Sequence, residues 1–290
     1  MTRTVNEAFE EFLARLTPSA TDRQASARHR ESVQSALEAK VTVRRFFETG
    51  SFSHGTGVRG YSDVDVFASL ANEKPESSYT ALTWVMDALS ERFPSTVVVI
   101  DRPAVKVKFA NGSETWEVIP AFINGKGGHG HLVYDIPGPS TGSGWIDSAP
   151  DTHLSYVTAC NKKPSLGKAK ALSRLIKAWK YYCGVPISSF YLEMRCAQHV
   201  AVQTTYIHVW DVCQLLEKLE GHELAAMNDP EGASGRIYAC SSEAKREEAL
   251  SKLQTAAGRA RKALDAHNAG NADIAFYYLN LLFGGRFPSH

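Results

Sequence analysis

Two aspartates stand two residues apart in the run Asp63-Val64-Asp65-Val66, where apolar and acidic residues alternate. On a strand such residues project from one face, so both carboxylates can converge on one spot. Keeping two adjacent carboxylates ionised is costly unless a cation neutralises them, and hard oxygen ligands of this kind suit Mg²⁺. The pair predicts a metal, against the bland alternative of a solvated strand edge. Just upstream lies Gly50-Ser51, at the head of a turn in which Gly55, Gly57 and Gly60 spell G-x-G-x-x-G. A dinucleotide site would need a helix to open directly after those glycines, whereas Ser62 and a strand follow, so the context argues against that reading. Farther along, Lys170, Arg174 and Lys177 fall at i, i+4 and i+7 and share a helix face. That face could meet a triphosphate or simply be solvated.

Gly50-Ser51 followed by Asp63-Val64-Asp65 resembles the signature of the DNA polymerase beta-like nucleotidyltransferase superfamily. The resemblance implies that the Gly50-Ser51 backbone and the Ser51 hydroxyl hold the β- and γ-phosphates of a nucleoside triphosphate, while Asp63 and Asp65 bind metal. It also implies a third carboxylate on a later strand, for which the candidate is Glu117 in Trp116-Glu117-Val118-Ile119-Pro120-Ala121, where the family usually has Asp. Trp145, Pro150, the run from Lys168 to Lys180, Ser188-Ser189-Phe190-Tyr191-Leu192-Glu193 and Leu282-Phe283-Gly284-Gly285-Arg286-Phe287-Pro288 look like the bacterial cGAS/DncV-like nucleotidyltransferases (CD-NTases). These are relatives of cyclic GMP-AMP synthase and oligoadenylate synthase, and the likeness runs from the Gly-Ser turn to the C-terminus. It favours Lys177 and Ser189, then Arg174, as phosphate contacts, with Phe190 as the surface on which a base stacks. Phe190 fits a core position beside Leu192 and Met194 equally well. Lys180 is expected at the surface. His54, where the family often has a basic residue, reads as a solvated turn residue with a substrate contact as the alternative.

The activity implied is template-independent nucleotidyl transfer assisted by two Mg²⁺ or Mn²⁺ ions held by Asp63, Asp65 and Glu117. ATP and/or GTP, with pyrimidine nucleotides open, would be joined into a cyclic di- or trinucleotide messenger of bacterial anti-phage (CBASS) signalling, releasing pyrophosphate. The alternatives are a linear oligoadenylate-type enzyme, a nucleotidyltransferase acting on a small molecule or protein, and an inactive nucleotide-binding module.

The elements that must position these residues divide the chain near its middle. Residues 1–150 mix helix and strand: a helix over 20–40, strands over 41–47 and 63–70, a helix over 80–93, then strands over 96–100, 104–110 and 115–122. The Gly-, Pro- and Ser-rich stretch 124–148 reads as a long loop bordering the site. Residues 151–290 read as helical, over 152–160, 166–183, 189–202, 206–219, 242–267 and 272–283, with 228–235 a surface loop. The expected fold is therefore α/β (α+β): a polymerase beta-like core with a mixed sheet, the N-terminal helix included, plus a C-terminal helical lobe, in the bilobal architecture of oligoadenylate synthase.

Composition narrows the partners. Lys+Arg 32 against Asp+Glu 31 gives a formal net charge of +1 over 290 residues, which supplies no basic stripe for long nucleic acid and no attraction to an anionic membrane. Regulation is expected from partner proteins instead, on a monomer. Glu7, Glu10 and Glu11 interrupt the N-terminal segment, no stretch has membrane-spanning length, and the five cysteines form no C-x-x-C pair. A cytoplasmic protein with reduced thiols is expected. His129 and His131 flank Gly130, but a Gly-rich loop preorganises ligands poorly, so no metal is assigned to them. The tail 286–290 is expected to be exposed.

Overall fold

The computed structural model describes residues 3–61, 63–109, 114–127, 130–138, 144–162, 168–233 and 235–290, with backbone only over 20–28. Among these, no helix is long and apolar enough to cross a membrane.

The alternation around Asp65 builds the centre of a seven-stranded mixed sheet. Strand β1 (Val43–Glu48) runs antiparallel to β2 (Val64–Leu70), and β2 is parallel to β5 (Glu114–Lys126). Strands β4 (Ala104–Phe109) and β3 (Val97–Asp101) extend the sheet antiparallel on the far side of β5. Val64, Val66, Ala68 and Leu70 point to one face and join Val105, Val107, Trp116 and Val118 in an apolar core. That core is closed by helix α4 (Ser78–Arg92) through Ala81, Leu82, Val85 and Leu89, and by the last turns of α2 (Ala20–Glu38) through Val33 and Leu37. The opposite face carries Asp65 and Phe67 on β2 and Glu117 and Ile119 on β5, the period-two consequence of burying the valines.

Residues 124–148 depart from the expected loop. Strand β5 continues to Lys126, and β6 (Leu132–Pro137) and β7 (Trp145–Ser148) follow as an antiparallel meander. Tyr134 and Ile136 are buried against Phe67 and Ile119, while Asp135 between them takes a 2.5 Å bond from Lys74. The turn-forming residues of this stretch cluster between short strands, and that local density hid the alternation.

Helix α1 (Val5–Leu16) belongs with the second half of the chain, which corrects its expected place in the first lobe. Its buried stripe Val5, Ala8, Phe9, Phe12, Leu13 and Leu16 packs in the core of α5 (Pro150–Asn161), α6 (Ala169–Tyr182), α7 (Ser189–Ala201), α8 (His208–Gly221), α9 (Glu243–Asn268) and α10 (Ala272–Leu282). Thr4 and Glu7 form a capping box that fixes where α1 starts. The tail is also not exposed throughout. Phe287 is buried against Phe9 and Phe12, and His290 Nδ1 lies 2.7 Å from Asp273 Oδ1. Residues 228–235 likewise are more than a surface loop. They close the hairpin of β8 (Met227–Asn228) and β9 (Arg236–Ile237), where buried Asp229 accepts from the Glu231 and Ala233 amides.

Candidate active site

The three expected carboxylates come together. Asp65 and Glu117 are direct partners in the parallel pairing of β2 with β5, and Asp63 stands at the mouth of β2, within hydrogen-bonding reach of Glu117. Their mutual effect is visible in proton affinity. Asp63 is pushed up to about 6, first by burial and then by the Glu117 charge, with Lys106 opposing. Asp65 is raised well above the usual carboxylate range, again by burial first, then by Glu117 and Asp63. Lys106 Nζ answers part of this charge at 2.8 Å from Glu117 Oε1 and 2.9 Å from Asp101 Oδ2. Three crowded carboxyls, of which Asp63 and Asp65 resist ionisation, form a donor set for hard divalent cations, so the residues present fit Mg²⁺ or Mn²⁺. Among the described residues no three such side chains are already drawn into a finished cage.

Gly50 lies directly against this cluster. It opens the short helix α3 (Gly50–His54) at a φ of +59°, and a Cβ there would sit 2.0 Å from Asp65 Oδ2. Only glycine meets both conditions. The Thr49 amide donates to the Asp65 carbonyl at 2.9 Å, which pins the turn to β2. What was read as a turn at Gly50-Ser51 is thus a helical turn, capped at Gly55 in the left-handed conformation.

The basic face of α6 divides its work differently from the expectation. Arg174 donates to the carbonyls of Gly57 and Gly55 at 2.9 and 2.6 Å, so it clamps the glycine turn to the helical lobe. Lys177 has 0% of its surface exposed, with Nζ 2.6 Å from Glu193 Oε1 and 3.4 Å from Thr56 Oγ1. In this conformation both cations bond within the protein, Arg174 to the glycine turn and Lys177 to Glu193. Lys180, expected at the surface, is half-buried and donates to Ser189 Oγ at 2.6 Å, with the Tyr181 hydroxyl 3.2 Å from the same oxygen. Burial, followed by repulsion from Lys177, lowers Lys180 to about 8, while Glu193 and Asp63 pull it back up. Lys180 lies in the field of Asp63, and Lys177 in that of Asp65, whose proton affinity it opposes, so both lysines stand near the carboxylates. Lys180 lies one helical turn beyond Lys177, and the sequence offers no sign of which of the two Glu193 buries.

A cavity of about 440 Å³ opens beside this cluster, lined among others by Thr49, Gly50, His54, Ser188, Phe190 and Tyr238. Phe190 is half-buried, packs against the helical core and also lines the cavity. The ring of His153 meets Phe190 edge-on at 4.9 Å and is fixed by a 2.8 Å contact to Asp229. His153, Asp229 and Lys106 were not legible as site residues, because the contacts that recruit them join distant segments. His131 lies 3.3 Å from Ser155 Oγ; His129 falls outside the described residues. His54 is not a solvated turn residue: it has 2% exposure and contacts Glu193.

Residues 3–161 match the Second Messenger Oligonucleotide or Dinucleotide Synthetase domain. The chain is 27% identical over 173 residues to the CBASS oligonucleotide cyclase CdnC of Escherichia coli (strain KTE188), covering 56% of this chain and 53% of that one. It is 23% identical over 143 residues to the cyclic AMP-AMP-AMP synthase of Escherichia coli (strain MS 115-1), covering 48% and 43%. The matches thus span about half the length of these curated relatives. Among solved structures, E. coli MS115-1 CdnC with ATP superposes with a TM-score of 0.74 at 16% identity, over 98% of this chain and 99% of that chain. Vibrio cholerae DncV with the linear intermediate pppA(3′,5′)pG superposes with a TM-score of 0.74 at 12% identity, over 100% and 97%. These likenesses extend the shared fold across both lobes.

Proposed function

Because the chain belongs to the Second Messenger Oligonucleotide or Dinucleotide Synthetase family, we propose that it is a metal-dependent, template-independent nucleotidyltransferase that makes a cyclic di- or trinucleotide messenger in CBASS defence. The observation that carries this reading is the cluster of Asp63, Asp65 and Glu117, with Asp65 and Glu117 opposite each other across β2 and β5 and Gly50 packed against Asp65. Asp63, Asp65 and Glu117 would hold two Mg²⁺ or Mn²⁺ ions. When bound, such ions neutralise charge on the attacked and leaving phosphates and favour ionisation of the attacking hydroxyl.

The remaining roles fall to the chain itself. The Gly50-Ser51 turn and the Ser51 hydroxyl meet the β- and γ-phosphates. Lys180 and Ser189 add a cation and a hydroxyl on the helical side, 2.6 Å apart and already oriented. Lys177 and Arg174 position: the first holds Glu193 and Thr56, the second holds the glycine turn. Phe190 offers an aromatic face to a base, with the His153 edge steadying it. A ribose hydroxyl oxygen of one nucleotide then bonds to the α-phosphorus of another while the α–β bridging P–O bond breaks and pyrophosphate leaves. A second transfer closes the ring.

The substrates proposed are ATP and/or GTP, with pyrimidine nucleotides open, and the setting is a cytoplasmic monomer that needs neither long nucleic acid nor a membrane. Control by a partner protein is the proposed regulation; E. coli MS115-1 CdnC, whose fold this chain shares, has been solved as a CdnC:HORMA-deltaN complex. The test is incubation with labelled nucleoside triphosphates and Mg²⁺ or Mn²⁺, phosphatase treatment, and mass spectrometry, with Asp63→Ala as control. A phosphatase-resistant cyclic product absent from the variant is expected. Exclusively linear products would replace the cyclase with an oligoadenylate-type enzyme, and nucleotide binding with no turnover under any condition would indicate an inactive module.

A further inference from the structure

The stretch of chain that leads into Asp63 is fastened to the helical lobe. Arg174 holds the carbonyls of Gly57 and Gly55, Val58 is fully buried in the helical core, and the Arg59 amide donates at 2.8 Å to the Leu16 carbonyl at the end of α1. Tyr61, two residues before Asp63, closes this segment with its amide donating to the Val58 carbonyl at 3.0 Å. Its ring stacks on Tyr181 of α6, with centroids 5.1 Å apart and planes 18° from parallel, and meets Tyr182 edge-on at 5.6 Å. Tyr182 is fixed in turn against Phe12 at 6.3 Å and beneath Arg286 at 4.8 Å.

Tyr181 carries this contact to the other half of the site. Its hydroxyl lies 3.2 Å from Ser189 Oγ, which accepts from Lys180 Nζ at 2.6 Å, and the same Nζ stands 4.7 Å from the centroid of the Tyr181 ring. Lys180 also lies in the field of Asp63. One stack of two rings thus joins the chain that presents a carboxylate to the cation and hydroxyl assigned to the phosphates. Core packing does not account for an aromatic residue here, because Tyr61 keeps 38% of its surface exposed. A stack of this kind fixes the separation and the orientation of its two partners, whatever it adds to stability.

We propose that Tyr61 is a positioning residue, which by stacking on Tyr181 holds Asp63 in register with Lys180 and Ser189 so that both sides act on one triphosphate together. The inference rests on the nucleotidyl-transfer reading given above and deepens it by naming what joins the two sides. In-line displacement tolerates little misplacement: a shift of about 1 Å among the groups acting on one phosphate chain costs on the order of a hundredfold in rate. Removing the stack leaves each side with its own groups. The loss therefore falls on turnover, with binding of nucleotide and of metal kept.

Tyr61→Ala, Tyr61→Leu and Tyr61→Phe separate the ring from its bulk and from its hydroxyl. Pyrophosphate release from nucleoside triphosphates with Mg²⁺ gives kcat and KM for each variant, thermal unfolding gives Tm, and calorimetric titration of Mg²⁺ without nucleotide reports on the carboxylates. Tyr61→Ala and Tyr61→Leu are expected to lower kcat at least about tenfold, with KM and Mg²⁺ affinity within about twofold of wild type. Tyr61→Phe should restore kcat, and the Leu variant carries the comparison if the Ala variant fails to fold. Tyr181→Ala should lower kcat at least as much, and adding Tyr61→Ala to it should lower kcat no further, because two partners in one contact are not additive. The positioning role is overturned by a Tyr61→Ala protein with wild-type kcat, by a loss that merely follows a lowered Tm, by full additivity with Tyr181→Ala, or by Leu serving as well as Phe. Loss of Mg²⁺ binding in calorimetry would overturn it too, since Tyr61 would then build the carboxylate site itself. A wild type that releases no pyrophosphate from any nucleoside triphosphate, with Mg²⁺ or Mn²⁺, would overturn the nucleotidyl-transfer reading and this role with it.

Discussion

A side chain at position 50 would have to share space with Asp65 Oδ2, 2.0 Å from where its Cβ would stand, on a backbone whose φ of +59° disfavours any L residue. Gly50→Ala is therefore expected to displace Asp65 and reduce nucleotidyl transfer by at least about a hundredfold while the circular dichroism spectrum stays that of wild type; near-normal turnover would mean that the close approach is dispensable. The carboxylates make a second claim testable. Asp63 and Asp65 hold protons more tightly folded than unfolded, so without a divalent cation their ionisation costs stability, a cost that is absent near the unfolded range of about pH 4 and complete above the folded value of about 6 for Asp63. A bound cation reverses that cost and competes with the protons. The gain in Tm on adding Mg²⁺ should accordingly be small near pH 5 and larger near about pH 7.5. Equal gains at both would place the ion elsewhere, and Asp63→Asn should shrink the difference.

At the scale of elements, α6 and β5 show what a sequence discloses and what it withholds. The strand carrying Asp65 and the strand carrying Glu117 were legible because valines and other apolar residues alternate with the acids, and burying the apolar set leaves the acids one face to share. The helix α6 was legible from its periodicity. The division of labour along it was not, since Lys177 and Lys180 are alike in type and one turn apart, and their difference is made by Glu193, 16 residues beyond Lys177 on another helix. The two lysines should part company on substitution. Lys177→Met strands a buried carboxylate and is expected to lower stability by about 3–5 kcal/mol in denaturant unfolding. Lys180→Gln should leave the unfolding midpoint within error and raise KM for nucleoside triphosphate several-fold, and the reverse assignment would be revealed by the opposite pattern. The meander of β6 and β7 was missed for a related reason: strands of 6 and 4 residues between glycine-rich turns give alternation too little length to register.

The whole molecule has two main apolar cores, one between the sheet and helices α2 and α4, the other uniting α1 with α5 to α10. The candidate-site residues are drawn from the border of both, and Arg174 bonding to the glycine turn ties one lobe to the other. In the second core Phe9 and Phe12 pack against Phe283 and Phe287, with ring centroids 4.9 Å apart in the pairs Phe9–Phe287 and Phe12–Phe283. Phe287→Ala should therefore cost about 3 kcal/mol or more of stability, although the residue lies far from the carboxylates in sequence. A loss under about half a kcal/mol would show that the tail packs too loosely to matter. This aromatic join also bears on the order of events as the chain emerges from the ribosome. The sheet and its covering helices are complete in sequence by Ser148, but the apolar stripe of α1 must wait for partners that are translated well after it. Until then Phe9 and Phe12 are exposed, and they would make the N-terminal helix of the nascent chain a natural place for a chaperone to hold.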